Sequence, residues 1–326
     1  MLNVAMLSMW HVHAQGYLQY IQSQADARVT VIWDDDAERG KAAAEKFGVD
    51  FESCLDTMLA RADVDAVLVD APTTEHMEVM IKAAKAGKHI FTEKALAPTV
   101  KECKEIAAAV KANKVKFCIS FPGLMSGEMQ YAKQAIDEGK LGKVNYLRIR
   151  SAHGGSSQGW LPAYWYETAK TAGGAMMDLG CHPNYQAAFL LGKPARIASM
   201  FNNLMSPGDS EDNAVSVIEF ANKAIAVVET GFVTPNSSSA IEIMGTEGSI
   251  YIENGKLRIY SAPSGIKGWV IPDDLPKPLP AALRQWIDGI LYGKEILFDM
   301  DAAIGLTELL ENEYISDREQ KIVKIK

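Results

Sequence analysis

The sequence predicts an α/β fold in which an N-terminal doubly wound parallel sheet of Rossmann type precedes an α+β domain with a large, mostly antiparallel sheet. Short apolar runs alternate with helical patterns over the first 120 residues, which is typical of a parallel sheet. Alternating apolar and polar runs with hairpin turns fill much of the second half. Since 326 residues exceed one typical core, we expect domains at 1–120 and 121–326.

The elements of the first half follow in order. Strands are predicted at 3–7, 29–33, 66–69, 89–92 and 116–120, and helices at 13–23, 37–47, 74–86 and 100–113. Gly48 and Gly87 follow two of these helices, as expected at helix C-termini. Parallel sheets bind ligands beyond the carboxyl ends of their strands, so the residues that follow each strand are the first candidates for a site.

The second half begins with a strand and a mostly apolar helix. The strand is predicted at 145–150, and one helix within 171–192 is opened by the pair Gly173-Gly174. Further strands are predicted at 195–201, 214–220, 224–231, 239–244, 249–253 and 256–260, and closing helices at 280–292 and 302–315.

Composition excludes several classes of protein. The formal charge is -8 with mixed signs, which argues against nucleic-acid binding. The sequence has no apolar run of about 18 residues, so we expect no membrane span. The four cysteines lack C-x-x-C spacing and are expected to be reduced thiols in a cytoplasmic protein.

The turn after the first strand reads S-M-W-H-V-H where a dinucleotide fold normally carries G-x-G-x-x-G. Ser8, Trp10 and His13 fill the three glycine positions. The helix N-terminus remains an anion site, because its N–H groups do not depend on side-chain type. His11 and His13 form an H-x-H pair that no neighbouring Cys or His completes, so we expect polar contacts or packing and no metal.

Two other strand ends carry ionisable groups. Asp34 ends the second strand, where a carboxylate binds adenosine ribose hydroxyls and repels a 2′-phosphate, which favours NAD over NADP. A helix N-cap is the alternative role, which Asp35 or Asp36 also suits. Lys94 follows Glu93 at a strand end and is suited to orient a hydroxyl or act as a base; a solvated ion pair is the alternative.

Asp178 and His182 are four residues apart in the predicted helix at 171–192 and so share one face. Both groups cost desolvation energy in an apolar helix unless they are used or paired, and a satisfied ion pair is the alternative. The preceding loop contains Trp160 and Trp165, whose aromatic faces suit the C–H faces of a pyranose or cyclitol. Covering the core is the alternative for these tryptophans.

Together with Asp34, four motifs in this order resemble the Gfo/Idh/MocA oxidoreductases: DAVLVDAPTTEH, AGKHIFTEKALA, TAGGAMMDLGCH and IEIMGTEGSIYIENG. The resemblance implies hydride transfer between a nicotinamide and a sugar or cyclitol hydroxyl, with the second-domain sheet as interface of a homodimer or homotetramer. By motif position, Lys94 matches the catalytic lysine, and Asp178 and His182 match the acid/base pair. Residues that match cofactor contacts are Asp34, Thr73, His76 and Glu93, in addition to the first turn (Ser8, Trp10, His11, His13).

Departures from the family pattern leave alternatives open. Ala95 replaces the usual proline after Lys94, and we expect a trans peptide because a cis bond costs about 2.5–4 kcal/mol. Tyr185 replaces an Asp three residues after His182 and is a substrate contact or a packing residue. A turn shortened by about three residues would let His13 match the family's histidine. The alternative functions are a nucleotide- or sugar-sensing regulatory protein and an NAD-assisted lyase or glycosidase without net redox.

Overall fold

The computed structural model describes residues 1–237 and 239–325, and the chain divides into two compact units. The first unit comprises Met1–Ser120 and Pro280–Thr307, and the second comprises Phe121–Leu279 and Glu308–Lys326. Although the sequence suggested one domain over all of 121–326, the structure places 280–307 with the first unit.

The first unit contains a six-stranded parallel sheet in the order β3-β2-β1-β4-β5-β6. Its elements are β1 Leu2–Leu7, α1 Ala14–Gln22, β2 Ala27–Trp33, α2 Ala37–Phe47, β3 Asp50–Glu52, α3 Leu55–Leu59, β4 Ala66–Val69, α4 His76–Lys85, β5 His89–Thr92, α5 Val100–Ala112 and β6 Phe117–Ile119. The prediction of a doubly wound Rossmann sheet is confirmed. β3 and α3 were missed, because such short segments carry little periodicity.

Local sequence explains where these elements lie. β4 is buried along its whole length, as expected for a strand covered on both faces. Asp36 accepts hydrogen bonds from the first N–H groups of α2, and Gly48 ends that helix at a left-handed φ of 66°. Thr99 and Glu102 form a reciprocal capping box at the start of α5.

The second unit contains an eight-stranded sheet in the order β13-β12-β11-β7-β10-β9-β8-β14. Its elements are α6 Gly127–Asp137, β7 Val144–Ala152, α7 Thr168–Thr171, α8 Ala175–Asp178, α9 Cys181–Leu191, β8 Pro194–Asn202, β9 Asn213–Phe220, β10 Ile225–Gly231, β11 Ala240–Gly245, β12 Gly248–Glu253, β13 Lys256–Ser261 and β14 Val323–Lys324. Neighbouring strands are antiparallel except β7 and β10, which confirms the predicted mostly antiparallel sheet.

Two further helices complete the chain. α10, Ala282–Leu291, returns to the first unit and packs on β5 and β6, where the ring of Trp286 lies 5.7 Å from that of Phe91. This packing explains why 280–307 belongs with the first unit. α11, Met300–Glu319, continues from the first unit into the second.

The two faces of the large sheet differ. α8 and α9 cover one face through contacts with β7, β9 and β10. On the other face, Val215, Val217 and Ile225 expose 43%, 42% and 42% of their surfaces. At the β8 edge, the backbone N–H groups of Ser199 and Phe201 donate to the side chains of Ser316 (3.0 Å) and Asp317 (2.8 Å).

Among the helices of residues 1–237 and 239–325, none combines the length and the apolar composition that crossing a bilayer requires.

Candidate active site

The turn between β1 and α1 keeps the backbone shape that a glycine normally provides. Ser8 is fully buried and adopts a left-handed φ of 71°, a conformation that glycine adopts most easily. Its hydroxyl accepts the N–H of Trp10 at 3.2 Å, which fixes the turn. Trp10 and His11 are buried, and His13 precedes α1 without a side-chain cap. The first N–H groups of α1 are therefore left uncapped by a side chain, as an anion site requires.

Asp34 joins this turn to β2. Its buried carboxylate accepts N–H groups from Met9 at 2.8 Å and Asp36 at 2.9 Å. The guanidinium of Arg39 donates to both carboxylate oxygens, at 3.0 and 2.5 Å. These four donors occupy the acceptor positions of Asp34, whereas the side chain of Asp35 is 28% exposed. A ribose contact by Asp34 remains a prediction, and Asp35 is a neighbouring carboxylate that sequence reasoning did not assign to it.

The segment after β4 is largely buried and is hydrogen-bonded to the segment after β5. Thr73 begins a short 3-10 turn, and His76 begins α4. The His76 ring lies 3.0 Å from the carbonyl oxygen of Ala71 and 3.1 Å from those of Ala95 and Leu96. His76 therefore ties two strand ends together, and a cofactor contact by Thr73 or His76 remains a prediction.

Lys94 is buried at the end of β5, with 5% of its surface exposed. Its backbone N–H donates to its neighbour Glu93 at 3.0 Å. The expectation of a trans bond before Ala95 is wrong, since the Lys94–Ala95 peptide is cis. Local preference alone predicted trans, whereas in the structure the Lys94 N–H donates to Glu93 and the Ala95 carbonyl oxygen lies 3.1 Å from His76 Nδ1, on the two sides of this peptide.

Glu93 lies at the centre of a network that brings H-x-H together with a distant carboxylate. The Nδ1 atom of His13 is 3.0 Å from Glu93 Oε1, the Tyr17 hydroxyl also bonds Oε1, and the Nε2 atom of His11 is 4.0 Å from Oε2. Burial opposes ionisation, but His11, His13 and Lys94 outweigh it and hold the pKa of Glu93 well below its usual range. Sequence reasoning missed Tyr17, which has no motif signal.

The donor atoms of His11, His13 and Glu93 lie within 4.8 Å of one another, close enough to consider a metal ion. However, the backbone N–H of His13 donates to His11 Nδ1 at 3.2 Å. This bond places the proton of a neutral His11 on Nε2, the atom that a metal would need unprotonated. Proton placement thus favours a hydrogen-bonded network, and the expected lack of a metal remains a prediction.

The prediction of one continuous helix after the pair Gly173-Gly174 is wrong, because the structure divides this stretch into α8 and α9. Glu211 accepts the N–H groups of Gly174 at 2.9 Å and Met176 at 3.0 Å, which holds the start of α8. A Cβ on Gly174 would lie 2.1 Å from the backbone oxygen of Glu211, and one on Gly173 would lie 2.1 Å from the Tyr314 hydroxyl. The glycine pair is therefore required by close packing, which sequence periodicity does not reveal.

Asp178 lies on α8 and His182 on α9, and each side chain has its own partner. Trp165, only 3% exposed, donates its indole N–H to Asp178 at 3.1 Å. The Nδ1 atom of His182 lies 2.8 Å from the Tyr185 hydroxyl, which also accepts the N–H of Gly123 at 2.8 Å. In the tautomer whose Nδ1–H donates to the Tyr185 oxygen, Nε2 is the ring nitrogen that can accept a proton.

Other side chains of the second unit extend this region. Trp160 is 54% exposed and lies against His153, at 4.7 Å between ring centroids. Burial lowers the pKa of His153, whereas the negative charge of Asp178 raises it. The two side chains therefore interact electrostatically. His182 also lines a cavity of about 330 Å³ with Arg150, Glu128 and Gln186. Sequence reasoning found no motif for His153 and did not single out the cavity residues.

Comparisons with known proteins agree with this arrangement. Residues 9–121 match a model described as oxidoreductase family, NAD-binding Rossmann fold, and residues 129–251 match the GFO/IDH/MocA C-terminal domain. The chain is 30% identical over 302 residues to scyllo-inositol 2-dehydrogenase (NAD(+)) of Bacillus subtilis (strain 168), covering 88% of this chain and 85% of that protein.

Other relatives differ in name and in coverage. The chain is 30% identical over 242 residues to a 2,7-anhydro-N-acetylneuraminate hydratase of Mediterraneibacter gnavus, covering 72% of this chain and 62% of that protein. An uncharacterized oxidoreductase of Streptococcus pneumoniae is 29% identical, and 64% of its length is covered. The chain thus spans less than two thirds of these two relatives.

A solved levoglucosan dehydrogenase in complex with NADH and levoglucosan has the same fold, with a TM-score of 0.86, 23% identity and 99% of each chain covered. The two matched domain models, the identity to the Bacillus subtilis protein and the strand-end geometry lead to one conclusion. The chain belongs to the Gfo/Idh/MocA family of oxidoreductases, with an NAD-binding Rossmann domain at its N-terminus.

Proposed function

We propose that the protein is an NAD-dependent dehydrogenase that transfers a hydride between the nicotinamide and a secondary alcohol carbon of a sugar, cyclitol or sugar derivative. The observation that carries the proposal is the His182 ring, whose Nδ1 atom lies 2.8 Å from the Tyr185 hydroxyl; with Nδ1–H donating to that oxygen, Nε2 can accept a proton. Relatives named for inositol and levoglucosan oxidation support this substrate class.

Each ionisable group has a role in the proposed mechanism. His182 accepts the hydroxyl proton at Nε2 during oxidation and returns it during reduction. Lys94 orients the hydroxyl oxygen through its ammonium group, and Asp178, fixed by Trp165, binds a neighbouring hydroxyl. NAD supplies the hydride acceptor when bound, and the protein aligns the alcohol for transfer.

NAD is the proposed cofactor in preference to NADP. Asp34 and Asp35 place two carboxylates at the end of β2, and negative charge there repels a 2′-phosphate. Arg39 lies between them and is engaged by both carboxylates. The uncapped N-terminus of α1 suits the pyrophosphate, as in other dinucleotide folds.

Chemistry without net redox is a second candidate, since two of the relatives are named hydratases. Such an enzyme turns over its substrate while the amount of NADH stays constant. A regulatory protein that binds nucleotide or sugar without turnover is a third candidate, for which the altered first turn is the supporting feature.

One experiment separates the three candidates. The protein is incubated with NAD and scyllo-inositol, myo-inositol or levoglucosan, NADH is followed at 340 nm, and carbohydrate products are analysed in parallel. Accumulating NADH supports the dehydrogenase, new products with constant NADH support the second candidate, and NAD binding by calorimetry without any product supports the third. His182→Ala should lower turnover far more than NAD affinity, and unchanged turnover would remove His182 from the mechanism.

We also propose that the protein is a cytoplasmic homodimer or homotetramer. The half-exposed apolar residues on the open sheet face support self-association there, since such patches mark interaction surfaces. The four free cysteines fit a reducing compartment. Light scattering of the wild type and Val217→Lys tests the interface, and a wild-type monomer would contradict it.

A further inference from the structure

We propose that Tyr17 and His13 are positioning residues that hold the Glu93 carboxylate and, through it, the backbone of Lys94. This inference rests on the proposed role of Lys94 in orienting the substrate hydroxyl. It gives a role to the H-x-H sequence of the first turn, which the proposed mechanism does not otherwise use.

The spacing of His13 and Tyr17 in the sequence allows both side chains to reach the same oxygen of Glu93. α1 begins at Ala14, and residues four apart on a helix lie one above the other. Accordingly, the rings of His13 and Tyr17 are in edge contact, with centroids 6.0 Å apart, and both side chains reach Oε1 of Glu93. These contacts place the first turn of α1 next to the end of β5.

The hydrogen bonds around Glu93 all point from a donor to its carboxylate. Glu93 is ionised and only accepts, so the Tyr17 hydroxyl donates to it and accepts from Ser120 Oγ at 2.7 Å. The His13 N–H donates to His11 Nδ1, which turns the His11 Nε2–H toward Glu93. All three side chains of α1 and its preceding turn therefore present protons to one carboxylate.

The neighbouring Asp70 makes Glu93 the charged member of a carboxyl pair. Asp70 is fully buried, and its two carboxyl oxygens have no hydrogen-bond partner among residues 1–237 and 239–325. Burial and the charge of Glu93 raise the pKa of Asp70 well above its usual range, so Asp70 ionises less readily than Glu93. The protons from Tyr17 and His13 are thus directed at the more readily ionised carboxyl group of the pair.

The second carboxylate oxygen of Glu93, Oε2, connects these side chains to the backbone of Lys94. Oε2 accepts the backbone N–H of Lys94 at 3.0 Å, and Glu93 is only 1% exposed. With Oε1 held by two side chains, the carboxylate cannot rotate away from this N–H. The start of the Lys94 segment is therefore fixed by α1, which lies 76 residues earlier in the sequence at Tyr17.

The test uses the full-length protein without added ligand. Hydrogen exchange of the Lys94 amide is measured by NMR for wild type, Tyr17→Phe and the control Tyr20→Phe, which removes a hydroxyl from the same helix at a position outside the network. We expect Tyr17→Phe to exchange the Lys94 amide about tenfold faster, the effect of one lost hydrogen bond to a charged group, and Tyr20→Phe to leave it unchanged.

If Tyr17 only stabilised the fold, Tyr17→Phe would speed the exchange of amides throughout β1 and β4. If Tyr17 positions Glu93, the faster exchange is confined to the end of β5. Equal Lys94 protection in Tyr17→Phe and Tyr20→Phe, or uniform acceleration across the sheet, would overturn the proposal. If Tyr17→Phe does not fold, the half-exposed His13→Gln substitution provides the same measurement. This readout needs no turnover, so a failure of the proposed dehydrogenase activity would be seen separately.

With scyllo-inositol and NAD, Tyr17→Phe should lower kcat about tenfold while the KM for NAD changes less than twofold. Such a split separates loss of Lys94 positioning from loss of cofactor binding. An unchanged kcat in an active enzyme would also overturn the proposal.

Discussion

Asn184 donates a hydrogen bond of 2.9 Å to the carboxyl group of Glu313, and both residues are fully buried in the second unit. Burial raises the pKa of Glu313 to about 8, although bonds from Ser216 and Asn184 oppose the shift. Glu313 is therefore protonated at pH 7. Asn184 lies two residues after His182 on α9, so this neutral pair anchors the helix that carries the proposed base.

The Glu313 pair predicts how stability depends on pH. Between the usual pKa of 4.5 and about 8, the native state holds a proton that the unfolded state releases. The free energy of unfolding should therefore fall as pH rises through this range, by about 1.4 kcal/mol per pH unit from this group. Urea unfolding at several pH values should show a flatter dependence for Glu313→Gln. Glu308→Gln, on the same helix but partly exposed, should retain the wild-type slope, and equal slopes for both variants would contradict the prediction.

Tyr185→Phe tests the support of the proposed base. The substitution removes the hydroxyl that contacts His182 and Gly123 but keeps the ring that stacks on Phe121 at 4.3 Å. We expect kcat to fall about tenfold, because one hydrogen bond that orients the imidazole is lost, with NAD affinity within twofold. Steady-state kinetics and calorimetry measure the two quantities. A wild-type kcat with a raised KM for the alcohol would instead indicate that Tyr185 binds substrate.

Gly174→Ala tests the packing that holds the start of α8. The added Cβ meets backbone oxygen of Glu211, which cannot move aside as a flexible side chain does. We expect a loss of about 2–3 kcal/mol in unfolding free energy, typical of overpacking. Gly305→Ala is the matched control, because nothing lies within 4 Å of its Cβ and alanine favours a helix by about 0.5–1 kcal/mol. Equal unfolding midpoints for the two variants would refute the packing argument.

Asp35→Ser tests the proposed preference for NAD. The partly exposed carboxylate of Asp35 lies 2.6 Å from Arg39, and its removal takes away a negative charge that repels a 2′-phosphate and leaves the guanidinium paired with Asp34. The ratio of kcat/KM for NADP to that for NAD should rise about tenfold, the effect of one charge-assisted contact. Asp36→Ser, at the adjacent helix cap, should change the ratio less. An unchanged ratio in Asp35→Ser would move the specificity determinant elsewhere.

Regular elements with strong local signals were predictable. The helix at Ala37–Phe47 and the strands at Ala66–Val69 and His89–Thr92 agree with the sequence prediction, because periodicity and end signals coincide there. The helix at Gly127–Asp137 was not predicted, although Ser126 caps it.

Sequence reasoning could not identify contacts between residues that are far apart in the chain. The contact between Tyr17 and Glu93 joins residues 76 positions apart, and neither side chain shows its partner in a local pattern. Likewise, the start of α8 is held by Glu211, which lies 37 residues after Gly174. The site residues assigned by motif position remain predictions, whereas the side chains that contact them are revealed only by the structure.

The side chains of Ser316 and Asp317 have a consequence beyond local packing. By consuming two backbone donors along β8, they deny an incoming peptide the hydrogen bonds that would let it lengthen the sheet. This stretch of the sheet edge is thereby protected against the strand addition from which fibrils grow.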